Sequence, residues 1–139
     1  MPLSRQDASA WIARYERAWR TSGVRDLPQL FTEDAVYRMS PYEEPAAGLA
    51  EIGALWECER QGPDEEFTMS HEVVAVDGDT AVVRLEVRYG GSERLQYRDL
   101  WVLRFAADGR CRAFEEWPFW PGQQIVAEGG EAEDRGPGP

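Results

Sequence analysis

Apolar residues recur first with a helical period and then with an alternating one. Trp11, Ile12, Tyr15, Ala18 and Trp19 stand one, three or four apart, the spacing of one helix face. Arg14, Glu16, Arg17 and Arg20 fill the opposite, wet face. This pattern predicts a helix over residues 4–22, with Ser4 and Asp7 as its capping pair and Gly23 as its stop. A short second helix is predicted over 26–31, where Pro28 fits the first turn. A strand over 35–39 follows, carrying Tyr37 and Met39. Pro41 and Pro45 stiffen the loop after it. A third helix is predicted over 49–60, with Leu49, Ile52 and Trp56 on its buried face and Gln61-Gly62-Pro63-Asp64 ending it.

From residue 67 the period changes to two. A strand is predicted over 67–76, a hairpin turn at Asp77-Gly78-Asp79 and a second strand over 80–89. That strand puts Ala81, Val83, Leu85, Val87 and Tyr89 on one face, with Arg84, Glu86 and Arg88 on the other. After a Gly90-Gly91-Ser92 turn, the strand over 95–105 carries Tyr97, Asp99, Trp101, Leu103 and Phe105 on one face. A turn at Ala107-Asp108-Gly109 leads to the last strand, 111–119. Simple alternation there groups Cys111, Ala113, Glu115 and Trp117, whereas a one-residue bulge near Gly109 would exchange Glu115 for Glu116. The order of elements is an α+β layout, with helices packed on one face of an antiparallel sheet. Residues 1–122 form the predicted domain, and 123–139 read as an acidic, Gly/Pro-rich disordered tail.

Length and composition agree with this. The 139 residues suit one domain, and 42% hydrophobic residues supply a core without disulfide or metal staples. Six tryptophans point to a large aromatic core or a lined cavity. The net charge of −11 argues against a basic patch for nucleic acid and against an anionic membrane surface. No apolar run is long enough to span a bilayer and no signal-peptide core is present, so a cytoplasmic location is expected. Cys58 and Cys111 have no paired spacing.

The missing residues narrow the chemistry. Lysine is absent, which removes Schiff-base mechanisms. His71 is the single histidine, so neither a zinc cluster nor a nucleophile–histidine pair has a motif behind it, and no metal site is expected. Phosphate-cradling glycine loops and the GxSxG elbow are absent too, and no cofactor is expected. Carboxylates, tyrosines and arginines remain.

The sequence words Tyr15-Glu-Arg-Ala-Trp19, Leu30-Phe-Thr-Glu-Asp-Ala-Val36, Gly48 before a helix with Ile52 and Trp56, Tyr97-Arg-Asp-Leu-Trp-Val-Leu-Arg-Phe105 and Glu115-Glu-Trp117 occur in this order. In that order they resemble the nuclear transport factor 2-like superfamily in its SnoaL-like branch. The resemblance runs from Ala10 to Pro121. It implies a cone-shaped α+β barrel, a curved antiparallel sheet wrapped around the N-terminal helices, with an internal pocket. It also implies a homodimer through the outer sheet face. Members include ketosteroid isomerases, polyketide cyclases, epoxide hydrolases, dehydratases and non-catalytic binders, so the fold does not choose the function.

Carried over residue by residue, the isomerase tyrosine falls at Tyr15, its general base at Met39 and its protonated acid at Trp101. Methionine cannot take a proton, so isomerase chemistry is not expected. The dehydratase pattern needs paired histidines, and only His71 is present. The epoxide-hydrolase pattern needs two carboxylates held by an arginine. Asp99 and Glu115 can supply the acids, but Arg84, Arg88, Arg98 and Arg104 read as outward. The cyclase pattern needs one buried acid, Asp99 first and Glu115 second. Each of these acids taken singly has a simpler account as a turn cap or an arginine partner. His71, beside Phe67 and Met69, reads as a satisfied histidine. Tyr42, Glu43 and Glu44 read as a loop near the pocket mouth.

The leading expectation is a small-molecule-binding protein with an apolar pocket lined by Tyr15, Trp19, Tyr37, Met39, Trp56, His71, Tyr97, Trp101 and Trp117. A small apolar or aromatic ligand would fit it. The alternative is a cofactor-free cyclase, isomerase or epoxide hydrolase using Asp99 or Glu115, which a buried carboxylate without an arginine partner would favour. A cone filled by its own tryptophans would instead serve assembly alone.

Overall fold

The computed structural model describes residues 2–60, 66–90 and 96–123. In chain order the elements are α1 (Arg5–Trp19), α2 (Leu27–Leu30), β1 (Phe31–Arg38), β2 (Ala46–Ala47), α3 (Gly48–Glu59), β3 (Phe67–Asp77), β4 (Thr80–Tyr89), β5 (Gln96–Phe105) and β6 (Cys111–Phe119). The six strands form one curved sheet in the order β2-β1-β6-β5-β4-β3. The sheet is not closed: β2 and β3 are its edges. The four-strand meander is antiparallel throughout. The expectation of a wholly antiparallel sheet is corrected at β1, which runs parallel to β6. That pairing is open to β1 because helix α3 and the first three strands of the meander separate the two strands in sequence.

The capping box of α1 forms as its sequence predicts. Asp7 N–H donates to Ser4 Oγ at 3.0 Å, and Ser4 N–H donates to Asp7 Oδ2 at 3.1 Å. The helix stops at Trp19, short of the predicted 22. Arg60, at the end of α3, explains the early stop. Its guanidinium donates to the carbonyls of Thr21 at 2.5 Å and Gly23 at 2.8 Å, with longer contacts to those of Ala18 and Trp19 at 3.4 Å. Ala18 and Trp19 are in the last turn of the helix, and Thr21 and Gly23 lie in the chain just beyond it, so one guanidinium ties down the end of α1 and the segment after it.

Ala8, Trp11, Ile12, Tyr15 and Ala18 are the buried face of α1, which lies in the concavity of the sheet. Gly48 opens α3 with φ at 86°, a left-handed conformation that glycine adopts without strain. The last strand departs from simple alternation. Phe105 pairs with Cys111 but Arg104 pairs with Ala113, so Arg112 is an extra residue in β6. Such a bulge exchanges the faces of everything after it. Phe114 is therefore buried, and Glu116 and Pro118 follow it on the same face.

Residues 124–139, nearly all of the predicted tail, lie outside the described residues, as do most of the predicted turns at 61–64 and 90–92. Among the described residues no helix is long and apolar enough to cross a membrane.

Candidate functional site

One end of the concavity is packed solid and the other is open. Trp11 fills the packed end: its ring meets Phe31 and Phe105 edge-on, each at 5.6 Å. Its indole N–H donates to the Leu30 carbonyl at 3.0 Å, so the polar tip is satisfied. Phe114 divides the two ends. It stacks on Tyr37 at 4.2 Å and on Tyr15 at 5.6 Å, and leans on Trp101 at 4.7 Å.

Beyond that partition lies a cavity of about 480 Å³. Helix α1 contributes Tyr15 and Trp19, four residues apart on one face. Tyr37 comes from β1 and Met39 from just beyond it. Strands β3 and β4 give Phe67, Met69, Val87 and Tyr89; β5 gives Tyr97, Asp99 and Trp101. Glu116 and Pro118 of β6 and then Trp120 complete that wall. Exposed Glu59 and Glu66 stand at the rim.

The two inner acids are neighbours by register. Trp101 pairs with Glu116 and Asp99 with Pro118, which sets Asp99 diagonally across from Glu116 on the same face. Asp99 is 5% exposed. Its Oδ1, like the Trp101 Nε1, meets no partner at full hydrogen-bond geometry among the described residues, although Glu116, the Phe119 backbone and the Trp101 indole all approach this carboxyl. Burial raises the Asp99 pKa above the usual carboxylate range; neighbouring Glu116, the Phe119 backbone and the Trp101 indole partly offset this. Burial pushes Glu116 well above its usual range, and the adjoining Asp99 carboxyl pushes it further. The pair therefore holds a proton to higher pH than free carboxyls do. Beside it the Tyr15 and Tyr37 hydroxyls bond each other at 2.7 Å. Burial raises both phenols well above their usual value, with the Glu116 charge adding to each, so both stay protonated. No cationic side chain lines the cavity among the described residues. The nearby cations are engaged. Arg20 lies over the Phe67 ring at 3.9 Å and pairs with Glu16 at 2.7 Å, while Arg60 is spent on carbonyls.

The structure thus places Tyr15, Trp19, Tyr37, Met39, Tyr97, Asp99 and Trp101 together at one cavity. Four of the expected residues do not line it. Glu115 and Trp117 follow the Arg112 bulge to the outer face, where Trp117 Nε1 donates to Glu115 Oε2 at 2.7 Å. His71 lies further along β3, bonded at 2.7 Å to Ser9 on α1. Trp56 is 1% exposed, and it packs behind the lining against Trp19 at 4.8 Å and Tyr15 at 5.1 Å. Tyr42, Glu43 and Glu44 do not line the cavity either. Simple alternation missed Glu116, and the only signal for it was the turn before β6, where a bulge could shift the face. Glu59, Glu66 and Trp120 were missed because they come from element ends, where no period applies. Burial pushes the Cys111 thiol up to about 12, which removes it as a nucleophile.

The SnoaL-like domain family matches residues 12–114, most of the chain and nearly every element above. The protein belongs to this family. Solved structures agree on the fold. A steroid delta-isomerase from Pseudomonas aeruginosa is 25% identical, with a TM-score of 0.60 over 86% of this chain and 83% of that one. An NTF2-like protein of unknown function from Mesorhizobium loti is 21% identical, with a TM-score of 0.62 over 86% and 97%. SalBIII, an epoxide hydrolase/cyclase-like enzyme in pyran ring formation in the polyether salinomycin, is 16% identical, with a TM-score of 0.65 over 82% and 92%. No curated protein matches the sequence. This SnoaL-like chain thus shares a scaffold with isomerases and cyclases, and its own side chains must decide its function.

Proposed function

We propose that this SnoaL-like protein binds a small, largely apolar molecule in the cavity, with Asp99 and Glu116 as its polar anchor. The observation that carries this reading is Asp99 Oδ1, buried at the cavity wall and without a hydrogen-bond partner among the described residues. A buried acceptor left unsatisfied costs about 1–3 kcal/mol. A ligand donor that reaches it recovers that cost. The volume of about 480 Å³ falls within the range of small-molecule sites. Aromatic and Met side chains supply the apolar contact.

The test is titration with the neutral dye N-phenyl-1-naphthylamine, whose fluorescence rises in apolar surroundings. Saturable binding is expected, and its loss in Val87→Trp, which fills the cavity. A dye signal that neither saturates nor responds to the filling overturns the reading.

A second reading, a cofactor-free enzyme, would rest on the same carboxyl pair. Isomerase chemistry lacks its base, since Met39 stands at the position the resemblance gives to it, and its acid, since Trp101 stands at that one. The epoxide-hydrolase arrangement lacks its arginine among the described lining residues. Cyclase-type proton shuttling by Asp99 or Glu116 is the chemistry that fits. Turnover of a ring-closing substrate, abolished in Asp99→Asn, supports it; binding without turnover across such a panel leaves the first reading alone.

We also propose a homodimer through the outer face of β5 and β6. Leu100 and Trp117 pair there at 37% and 40% exposure, and Phe119 is 49% exposed. Light scattering after size exclusion is expected to give twice the chain mass, and a monomer mass for Trp117→Asp. A wild-type monomer overturns the proposal.

A further inference from the structure

The cavity also carries information about the charge of what it holds. Four carboxyl side chains line it, Glu59 and Glu66 at the rim and Asp99 and Glu116 within. Eight aromatic rings surround them, and no arginine or histidine is among the described lining residues. An anionic group brought to Asp99 would meet like charge in a site of reduced dielectric. A neutral ligand would satisfy Asp99 Oδ1 with one hydrogen bond and leave the remaining acids without use. A positive charge answers all of these features together. It compensates desolvated carboxylates, its N–H groups donate to Asp99 Oδ1, and the ring faces other than those of Phe67 and Trp19, which Arg20 and Arg60 already face, attract it through their quadrupoles. The rings form two bands. Tyr15 meets Trp101 edge-on at 4.8 Å, and a second band runs from Tyr89 to Tyr97 at 6.0 Å and on to Trp120 at 6.4 Å. The net charge of −11 raises the local concentration of cations around the molecule.

On the reading that the cavity binds a small molecule, we infer that its ligand is an apolar amine bound as the ammonium cation, with the nitrogen at the Asp99–Glu116 pair and the hydrocarbon on the aromatic rings.

Three size-matched probes test this by displacement of N-phenyl-1-naphthylamine at an ionic strength that screens the net charge. They are 1-naphthylmethylamine, 1-naphthalenemethanol and 1-naphthaleneacetate. The amine is expected to bind about tenfold more tightly than the alcohol, and the carboxylate more weakly than either. In the double variant Asp99→Asn, Glu116→Gln the ratio of the amine and alcohol dissociation constants is expected to fall to near one. If the double variant does not fold, each single variant carries the same comparison of ratios. Equal binding of amine and alcohol overturns the inference and leaves the binding reading standing. A preference for the amine that survives both substitutions also overturns it. No binding of the neutral dye overturns the binding reading, and this inference with it.

Discussion

The two ends of the concavity are built from the same kinds of residue and behave oppositely. At one end Trp11 sits among Phe31, Phe105 and Phe114 at 0% exposure, its indole bonded to a helix carbonyl. At the other end Trp101 is as hidden, at 3%, yet its indole has no partner among the described residues and it faces a cavity beside an acid. Burial alone does not separate these two tryptophans. What differs between them is the space beside the ring and the partner at its polar tip, although Trp56, packed behind the cavity lining, also has an indole N–H without a partner among the described residues. Around Trp11 the N–H meets an acceptor and the space is filled; beside Trp101 the space is open and a buried carboxylate oxygen has no partner among the described residues.

This contrast can be broken by substitution. The largest effect is expected at the packed end. Trp11→Ala should lose about 3–5 kcal/mol of stability in denaturant unfolding, because its neighbours cannot close over the void. A loss under about 1 kcal/mol would mean that this end is not the core. At the cavity's rim, Trp120→Ala should cost less than about 1 kcal/mol, since the ring is 47% exposed, but should weaken dye binding measurably. The separation of stability from binding is what the comparison requires.

The acid pair sharpens it further. The folded-state pKa values of Asp99 and Glu116 are raised, so between the unfolded and folded values the folded state holds more protons than the unfolded one. Stability is therefore complete below the unfolded carboxyl pKa and declines as pH rises through the raised folded values. Tyr15, Tyr37, Glu59 and Trp101 face or adjoin the pair, and all but Glu59 are uncharged in this range. Glu116→Gln should flatten this decline and stabilise the protein at pH 8 by on the order of 1 kcal/mol, read from unfolding midpoints across pH. An unchanged profile would mean that the pair titrates normally. The smallest effect is expected outside the cavity. Ser9→Ala removes the partner of His71 and should change stability by about 1 kcal/mol or less, with dye affinity unaltered. A change in affinity would bring His71 back to the site.

Much of this was legible before folding. Helical spacing from Trp11 to Trp19 marks the face of α1 that enters the sheet, and strict alternation in β4 and β5 marks the inner faces, Asp99 and Trp101 included. These periods act locally, through the repeat of the backbone itself. Glyine-containing turns set the order of the meander in the same local way, as at Gly78 with φ at 62°.

The tertiary structure alone decided three things. It chose Glu116 over Glu115, because an extra residue at Arg112 shows only in the pairing of β6 with β5. It joined β1 to β6 in parallel, a contact between strands far apart in the chain. And it left space beyond Phe114 while filling the space around Trp11. Period and composition say which residues face inward. Whether inward-facing rings meet or stop short of one another depends on how elements from distant parts of the chain come together, and no local pattern carries that distance.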